Sequence, residues 1–273
     1  MIYMLSSEQK EFWKENGFIH LSNVLPKQYL TELINAVDFL VDKYEVLESN
    51  KPFQIGLDRK FVVAEGAIFK DLIDCKYTFP YILEIMGPCI QLCMSHALTR
   101  PAGNSFEGFV HTDGGQSMQS ISLNSESNPL QVKIQYFLTN VDVEFSGNFI
   151  YKSGSHKIAF PVYDKNRHEK TKNMEQLLAK AGDVAIFTNA LWHGAIKNVS
   201  KIDRKSLIFG YNQMFLRPYD YDTASKDLLA TCTKRQRRLL GDVGTLKPQA
   251  HYYAPQDQVV VMEGVDDILN TYE

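Results

Sequence analysis

The stretch Val132-Lys133-Ile134-Gln135-Tyr136-Phe137-Leu138 belongs to the pattern that decides the predicted fold. It is one of five short runs of strand length, which clusters of Gly, Asn and Pro separate; the other four are residues 92–98, 148–151, 184–187 and 206–212. Short runs bounded by turn residues are typical of strands. We therefore predict an antiparallel barrel or a double-sheet jelly roll with helices packed outside it.

Helices are predicted on both sides of this strand-rich region. The sequence Ser6-Ser7-Glu8-Gln9 resembles a capped helix start, and in residues 28–44 the apolar side chains recur at helical spacing. Between these two helices Phe18-Ile19-His20-Leu21 is predicted to form a short strand. A further helical stretch covers about residues 77–86, and the chain returns to helix from residue 223. We predict one domain over residues 1–273, with helices over about 6–90, a barrel core over about 91–216 and a helical tail over 217–273.

Composition and charge exclude several classes of protein. The 273 residues, 44% apolar and 22% charged, are those of a globular chain with one substantial core. A net charge of −3 implies no general affinity for polyanions, so we predict no nucleic-acid partner. No apolar run approaches the length of a membrane span, and the N-terminus becomes polar too early for a signal peptide. We therefore predict no membrane partner and a cytoplasmic location.

A His-x-Asp pair, His111-Thr112-Asp113, is followed much later in the chain by His193. This order is typical of the 2-His-1-carboxylate facial triad, which binds a non-haem Fe(II) by one face and leaves open positions for chemistry. Residues i and i+2 of a strand point to the same side, so both members of the pair can reach one metal. A lone His-x-Asp pair is common by chance, and the surrounding sequence therefore has to support the prediction.

Arg204 is predicted to bind the far carboxylate of a 2-oxo acid. A hairpin about Asn198-Val199 would place His193 and Arg204 opposite each other, with both side chains in one cavity. 2-Oxoglutarate chelates a metal through its C1 carboxylate and keto oxygen. Its C5 carboxylate needs a planar cation that donates two hydrogen bonds, which Arg supplies better than Lys. The pattern thus predicts Fe(II), 2-oxoglutarate and O2 as cofactor and cosubstrates.

Five stretches resemble, in the same order, the phytanoyl-CoA dioxygenase family of Fe(II)/2-oxoglutarate oxygenases. The more specific ones run from Gly147-Asn148-Phe149 to the Gly-Ser-His-Lys sequence at 154–157, and from residue 182 through Trp192-His193-Gly194 to Arg204. The others lie at residues 11–18, 100–103 and 111–113, and the resemblance spans roughly residues 8–215. It implies a mainly β fold with flanking helices, the double-stranded β-helix (jelly roll, cupin-like). It also implies iron bound by His111, Asp113 and His193, and 2-oxoglutarate bound by Arg204.

Three positions depart from the family pattern. Ser153 stands where the family usually has Pro, which should only soften a turn. Ala195 stands where a hydroxyl residue often helps to bind the C5 carboxylate, so Arg204 is expected to act with a different helper. Gln135 stands where many members have Trp near the cosubstrate, and we predict that Gln135 contacts the cosubstrate. Lys133 shares a strand face with Gln135 by alternation and is a second candidate for the same role.

The resemblance implies an Fe(II)/2-oxoglutarate-dependent dioxygenase, an oxidoreductase that by default hydroxylates a C–H bond and releases succinate and CO2. Related halogenases carry a small residue in place of the carboxylate, so Asp113 disfavours halogenation. No strong basic cluster near the site motifs favours a CoA ester, and we predict a free small-molecule metabolite, in natural-product biosynthesis. Side chains that flank the site motifs, and that contact the substrate or simply pack in the core, are Phe106, Phe109, Tyr211, Phe215 and Arg217.

Two other functions stay open at this point. One is a non-catalytic barrel that binds a ligand without turnover. The other is a cupin-type metal enzyme that uses no 2-oxo acid. The intact set of His111, Asp113, His193 and Arg204 argues against the first, and dependence of turnover on 2-oxoglutarate would separate the second from an oxygenase of the predicted kind.

Overall fold

The structure is a computed structural model that describes residues 4–48, 56–106, 108–115, 118, 121, 127–160, 173–243, 258 and 261–262. Its strands are β1 (Phe18–Leu21), β2 (Asp58–Lys60), β3 (Ile90–Arg100), β4 (Gln131–Phe137), β5 (Phe149–Tyr151), β6 (Glu175–Gln176), β7 (Val184–Thr188), β8 (His193–Ala195) and β9 (Arg204–Gln213). Its helices are α1 (Ser7–Asn16), α2 (Lys27–Glu48), α3 (Ala67–Lys70), α4 (Phe79–Met86), α5 (Lys226–Ala230) and α6 (Lys234–Leu239). Short 3-10 turns lie at Val62–Ala64 and Ser155–Lys157.

The strands form two sheets. The larger sheet has the order β1-β7-β4-β9-β3-β2, and the smaller has the order β6-β5-β8. All the pairings within them are antiparallel. This is the double-sheet arrangement predicted from the sequence, and each of the five predicted strands is present with its ends shifted by at most two residues.

Alternation along β4 separates two faces of the larger sheet. Val132, Ile134 and Tyr136 pack into an apolar cluster with the helices, which contribute side chains such as Leu33 and Val37 of α2. The intervening residues are also buried, since every residue of β4 is buried, and they point to the other face. They are Gln131, Lys133, Gln135 and Phe137.

A second apolar cluster lies between the two sheets. It joins Phe18, Phe137 and Phe187 of the larger sheet to Phe149 and Tyr151 of the smaller one. Apolar burial contributes about 25 cal/mol per Å² removed from water, so these aromatic rings hold the sheets together. Phe137, which shares a face of β4 with the polar residues, belongs to this cluster, so the polar residues of β4 lie beside it between the two sheets.

The N-terminal segment contributes more than helices. Ser6 caps α1, whose first turn has the predicted capping box with Gln9, and the helix ends at Gly17 in the left-handed conformation. β1, which the sequence predicts as a short strand, and β2, which it does not predict, form the two edges of the larger sheet. The division into one domain of three parts stays a prediction. Among the described helices, none is long and apolar enough to cross a bilayer.

The hairpin predicted about Asn198-Val199 is wrong. β8 pairs with β5 in the smaller sheet, with His193 opposite Tyr151, whereas β9 pairs with β3 and β4 in the larger sheet. The chain crosses from one sheet to the other between β8 and β9, where the Asn198 amide donates to the carbonyl oxygens of Arg100 and Ile202, at 2.9 Å each. His193 and Arg204 lie at equal distances in the sequence from Asn198-Val199, but sequence distance alone could not show that β8 and β9 belong to different sheets.

Candidate metal and cosubstrate site

The structure brings the three predicted metal ligands together. His111 and His193 face each other across an antiparallel bridge, in which each backbone N–H donates to the other residue's carbonyl oxygen at 2.9 Å. Asp113 is fixed two residues further on, where its N–H donates to the Asn189 carbonyl oxygen at 2.9 Å. One potential ligand atom from each side chain lies within 4.8 Å of the other two. Local pairing thus brings His193 to His111 and Asp113, which lie in a distant part of the sequence.

Both imidazoles present the same nitrogen to the centre. His193 Nδ1 lies 2.8 Å from the Leu191 carbonyl oxygen, and His111 Nδ1 lies 3.1 Å from the Phe109 carbonyl oxygen. A carbonyl oxygen only accepts, so Nδ1 carries the proton and Nε2 carries the lone pair. Burial, more than any neighbouring charge, lowers the pKa of His193 to about 3, so this ring is neutral near neutral pH.

Asp113 completes the set with a buried carboxylate that is 6% exposed. Its Oδ2 lies 3.6 Å from His193 Nε2 and has no hydrogen-bond partner among the described residues, while Oδ1 lies 3.8 Å from His111 Nε2. Burial raises the pKa of Asp113, but Lys133 and the two imidazoles lower it, and the net pKa lies below the usual value. Two imidazole lone pairs and a carboxylate oxygen left without a partner are a donor set that fits Fe(II).

Lys133, predicted as a cosubstrate contact, lies against Asp113. Its Nζ is 2.5 Å from Asp113 Oδ1, and both side chains are buried. Gln135, two residues along the same face, has a buried amide nitrogen that donates to none of the described residues. Their roles stay predictions, and the geometry places Lys133 at the metal end of the site with Gln135 one step further along β4.

Arg204 begins β9 and is 4% exposed. Its Nη1 donates to the Gly147 carbonyl oxygen at 2.9 Å and its Nη2 donates to Ser206 Oγ at 2.7 Å, whereas Nε has no partner in the described part of the chain. Burial and then the nearby Arg100 lower the pKa of Arg204 to about 9, which leaves it charged at neutral pH. A fixed, buried guanidinium with unused donors is suited to a carboxylate.

Gly147 makes room for this arginine. Its φ is +75°, and a Cβ added there would lie 3.1 Å from Arg204 Cδ. A residue with a side chain would therefore be strained in its backbone and would press on the arginine.

Two residues near Arg204 were missed by the sequence prediction. Ser206 lies two residues after Arg204 on the same face of β9. Its hydroxyl accepts from Arg204 Nη2, whereas Ala195 has no hydroxyl to offer. Arg100 lies directly opposite Arg204 in the pairing of β3 with β9, half-buried over the Phe106 ring, and its pKa is lowered by burial. The signal for Ser206 was its i+2 spacing, but only the strand register could reveal Arg100.

A cavity of about 450 Å³ opens at Asp113. Its walls include Trp13 and Lys14 of α1, the turn at residues 156–160, Thr112, and residues 188–190 after β7. It is large enough for a small organic molecule and reaches the metal site from the side of Asp113.

The five side chains considered as substrate contacts divide into two groups. Phe106 and Phe109 border the site, and the Phe109 ring centroid lies 5.1 Å from that of His111. Tyr211 packs in the core and does not contact the site: it lies among the helices, and its hydroxyl donates to the Ile73 carbonyl oxygen at 2.9 Å. Phe215 is 73% exposed, and Arg217 is exposed and pairs with Asp222, so neither points into the site.

Comparison with known proteins supports the sequence prediction. The model of the phytanoyl-CoA dioxygenase (PhyH) family matches residues 101–206, which confirms the predicted resemblance. That segment begins just before the His-x-Asp pair and extends two residues beyond Arg204, so it contains all four of the main predicted site residues. None of the curated proteins matches this sequence.

Several solved structures share the fold. HygX from Streptomyces hygroscopicus, solved with nickel and 2-oxoglutarate bound, has a TM-score of 0.63 and 20% identity, and the match covers 82% of this chain and 94% of that one. SnoK, a non-haem alpha-ketoglutarate-dependent carbocyclase from nogalamycin biosynthesis, has a TM-score of 0.60 and 19% identity over 77% of this chain and 84% of that one. These matches confirm the jelly-roll, cupin-like fold.

Proposed function

We propose, with residues 101–206 matched to the phytanoyl-CoA dioxygenase family, that this protein is a non-haem Fe(II)/2-oxoglutarate-dependent dioxygenase. In this proposal it hydroxylates a C–H bond of a small-molecule metabolite. The observation that carries the proposal is the convergence of His111, Asp113 and His193, with ligand atoms within 4.8 Å of one another, and the buried Arg204 at the start of β9 supports it.

In this proposal His111 Nε2, His193 Nε2 and a carboxylate oxygen of Asp113 hold the iron. Fe(II) held there would activate O2, which is the oxidant: two of the four electrons that it takes up would come from 2-oxoglutarate, giving succinate and CO2, and two from the substrate C–H bond. The protein's own contribution is positioning. The backbone bridge between His111 and His193 and the carbonyl oxygens that accept from their Nδ1 atoms fix both rings before any ligand arrives.

Arg204 is proposed to bind the C5 carboxylate of 2-oxoglutarate. Ser206 and Gly147 hold its guanidinium in place, so little conformational entropy is lost when the carboxylate binds. Arg100 adds a second positive charge opposite it, and Gln135 offers an amide donor from the middle of β4. The low dielectric of a buried site strengthens each of these contacts.

The substrate is proposed to enter through the cavity that opens at Asp113. A structure of HygX contains hygromycin B together with nickel and 2-oxoglutarate, and SnoK belongs to nogalamycin biosynthesis, which supports a small-molecule substrate and a role in natural-product biosynthesis. Asp113 keeps a carboxylate in the ligand set, which favours hydroxylation over halogenation. α1 and the turn at 156–160 form the walls that would select the substrate.

The test is an anaerobic titration of the metal-free protein with Fe(II) and then with 2-oxoglutarate, followed by visible absorption. We expect a weak metal-to-ligand charge-transfer band that requires both components. His193→Ala should abolish it, because the set then lacks a ligand, whereas His20→Gln should retain it, since His20 contacts Asp183 outside the site. Iron binding without the band would favour a metal enzyme that uses no 2-oxo acid, and no iron binding would favour a non-catalytic barrel.

A further inference from the structure

Lys133 has more hydrogen-bonding capacity than the described part of the chain uses. It lies in the middle of the larger sheet with 9% of its surface exposed, and its Nζ donates to Asp113 Oδ1 at 2.5 Å. An ammonium has three N–H groups. Of all the residues that the structure describes, only Asp113 accepts from it. Buried donors without acceptors are destabilising, so the remaining N–H groups are suited to an acceptor on a bound ligand.

The neighbouring strands do not supply that partner. Lys133 is paired with Phe187 on one side and with Gly210 on the other. Phe187 is apolar and Gly210 has no side chain. Gln131, two residues back on the same face, directs its amide nitrogen to Tyr219 Oη and Cys93 Sγ. The ammonium is therefore held at the metal centre by Asp113, and its other N–H groups donate to no other residue that the structure describes.

The charge at the site points to an anionic partner. Before an acid binds, a divalent iron, one ligating carboxylate and Arg204 together carry a charge of +2. Lys133 adds a buried positive charge next to Asp113, and the half-buried Arg100 adds another. A buried charge without compensation is expensive, so a carboxylate near Lys133 would be strongly favoured over a neutral group.

We propose that Lys133 binds two carboxylates at once, that of Asp113 and that of the small acid which occupies the neighbouring position at the metal. This inference rests on the proposed function, because it needs the metal at His111, Asp113 and His193. The second carboxylate is the C1 carboxylate of the 2-oxo acid or a carboxylate of the substrate. In either case Lys133 anchors the acid at the metal end, while Arg204 anchors the far end of 2-oxoglutarate.

Two 2-oxo acids, called co-acids below, distinguish the metal end of the site at Lys133 from the far end at Arg204. 2-Oxoglutarate has both carboxylates, whereas pyruvate has the C1 carboxylate and keto group but no C5 carboxylate. Each is titrated into the anaerobic Fe(II) protein, and affinity and band position are read from the charge-transfer band. Lys133→Met should weaken both co-acids by about ten- to a hundredfold, the effect of one charge-assisted hydrogen bond. Arg204→Leu should weaken 2-oxoglutarate and spare pyruvate.

The band position gives a readout that a purely structural role would not change. Without the ammonium, electron density on the co-acid is less stabilised, so the band of Lys133→Met should move to shorter wavelength. Lys133→Arg keeps a cationic donor and should recover much of the affinity. Lys60→Met, which removes an exposed lysine of β2, is the matched control and should behave as wild type. If Lys133→Met does not fold, as judged by circular dichroism, Lys133→Gln takes its place.

A second titration identifies the source of the carboxylate. If the co-acid affinities are unchanged in Lys133→Met, acetate is added to the Fe(II)–2-oxoglutarate protein. A spectral change in wild type that Lys133→Met lacks would assign the contact to a substrate carboxylate. Wild-type behaviour of Lys133→Met in both titrations would overturn the inference. If wild type itself forms no band with Fe(II) and 2-oxoglutarate, the proposed function fails rather than the role of Lys133.

Discussion

Arg204 shows how little of a side chain's role is contained in its identity. Any buried arginine carries a charge, but here two guanidinium nitrogens are occupied by Gly147 and Ser206, and Nε faces no acceptor in the described structure. The hydrogen bonds from Nη1 and Nη2 fix the plane of the guanidinium group, while Nε–H remains available to a ligand. This arrangement is expected of an arginine that binds a carboxylate ligand rather than of one in a structural ion pair.

Arg204→Lys should therefore behave as a severe change. A lysine has one nitrogen, and bonds to the Gly147 carbonyl oxygen and Ser206 Oγ would leave it a single N–H for the ligand. We expect 2-oxoglutarate affinity to fall by at least about tenfold, with Fe(II) affinity unchanged. The measurement is the anaerobic titration of the charge-transfer band. Arg217→Lys, the same exchange at an exposed position, is the control. If Arg204→Lys and Arg217→Lys bind 2-oxoglutarate with the same affinity, Arg204 does not bind the cosubstrate.

At the scale of elements, α1 determines one wall of the substrate cavity. Its last turn is joined to the turn at residues 153–157: the Gly154 N–H donates to the Asn16 carbonyl oxygen at 3.2 Å, and Lys157 Nζ donates to Glu15 Oε2 at 2.7 Å. His156 Nε2 lies 3.1 Å from the Lys14 carbonyl oxygen, so it donates to it. His156 thus belongs to a joint between two elements that both line the cavity.

Gly17→Ala should loosen this joint. Gly17 has φ of +76°, and an added Cβ would lie 2.5 Å from His156 Nδ1. Gly103 has a similar φ of +70° but nothing within 4 Å of an added Cβ, so Gly103→Ala carries the backbone strain alone. We expect Gly103→Ala to cost roughly 1 kcal/mol and Gly17→Ala up to about 3 kcal/mol or more. Urea denaturation of the two variants measures the difference, and equal losses would mean that His156 simply moves aside.

The elements also show which parts of the fold a sequence can predict. The longer strands of the larger sheet were predicted because they form runs of strand length bounded by turn residues, and β4 also shows alternating apolar and polar residues. β2, with three residues, was not predicted. β6 and β8 consist of two and three residues, so they contain no readable period, and the pairing of β8 was predicted wrongly for that reason. The sequence likewise identified Lys133 and Gln135 as neighbours on one face, but the contact of Lys133 with Asp113 depends on the packing of a separate segment.

At the scale of the whole molecule, the candidate site lies where the two sheets meet. His193 belongs to the smaller sheet, and Lys133 and Arg204 belong to the larger one. The segment that carries His111 and Asp113 pairs with β8 through the bridge between His111 and His193. The smaller sheet is made of very short strands, so its own pairing contributes little. A ligand that bonds to all of these parts would connect them, and its binding energy would add to the stability of the fold.

Ni(II), which does not oxidise in air, should therefore raise the melting temperature of the metal-free protein, and 2-oxoglutarate should raise it further. A ligand at a hundred times its dissociation constant adds about 2.7 kcal/mol, which corresponds to roughly 5–10 °C for a chain of this size. Differential scanning fluorimetry measures the shift. His193→Ala should lose both increments, because the metal then no longer joins β8 to Asp113, and His20→Gln should keep them. Arg204→Leu should keep the nickel increment and lose that of 2-oxoglutarate. An equal nickel shift in wild type and His193→Ala would show that the metal binds elsewhere, because the other residues of β8, Gly194 and Ala195, have no ligating side chain.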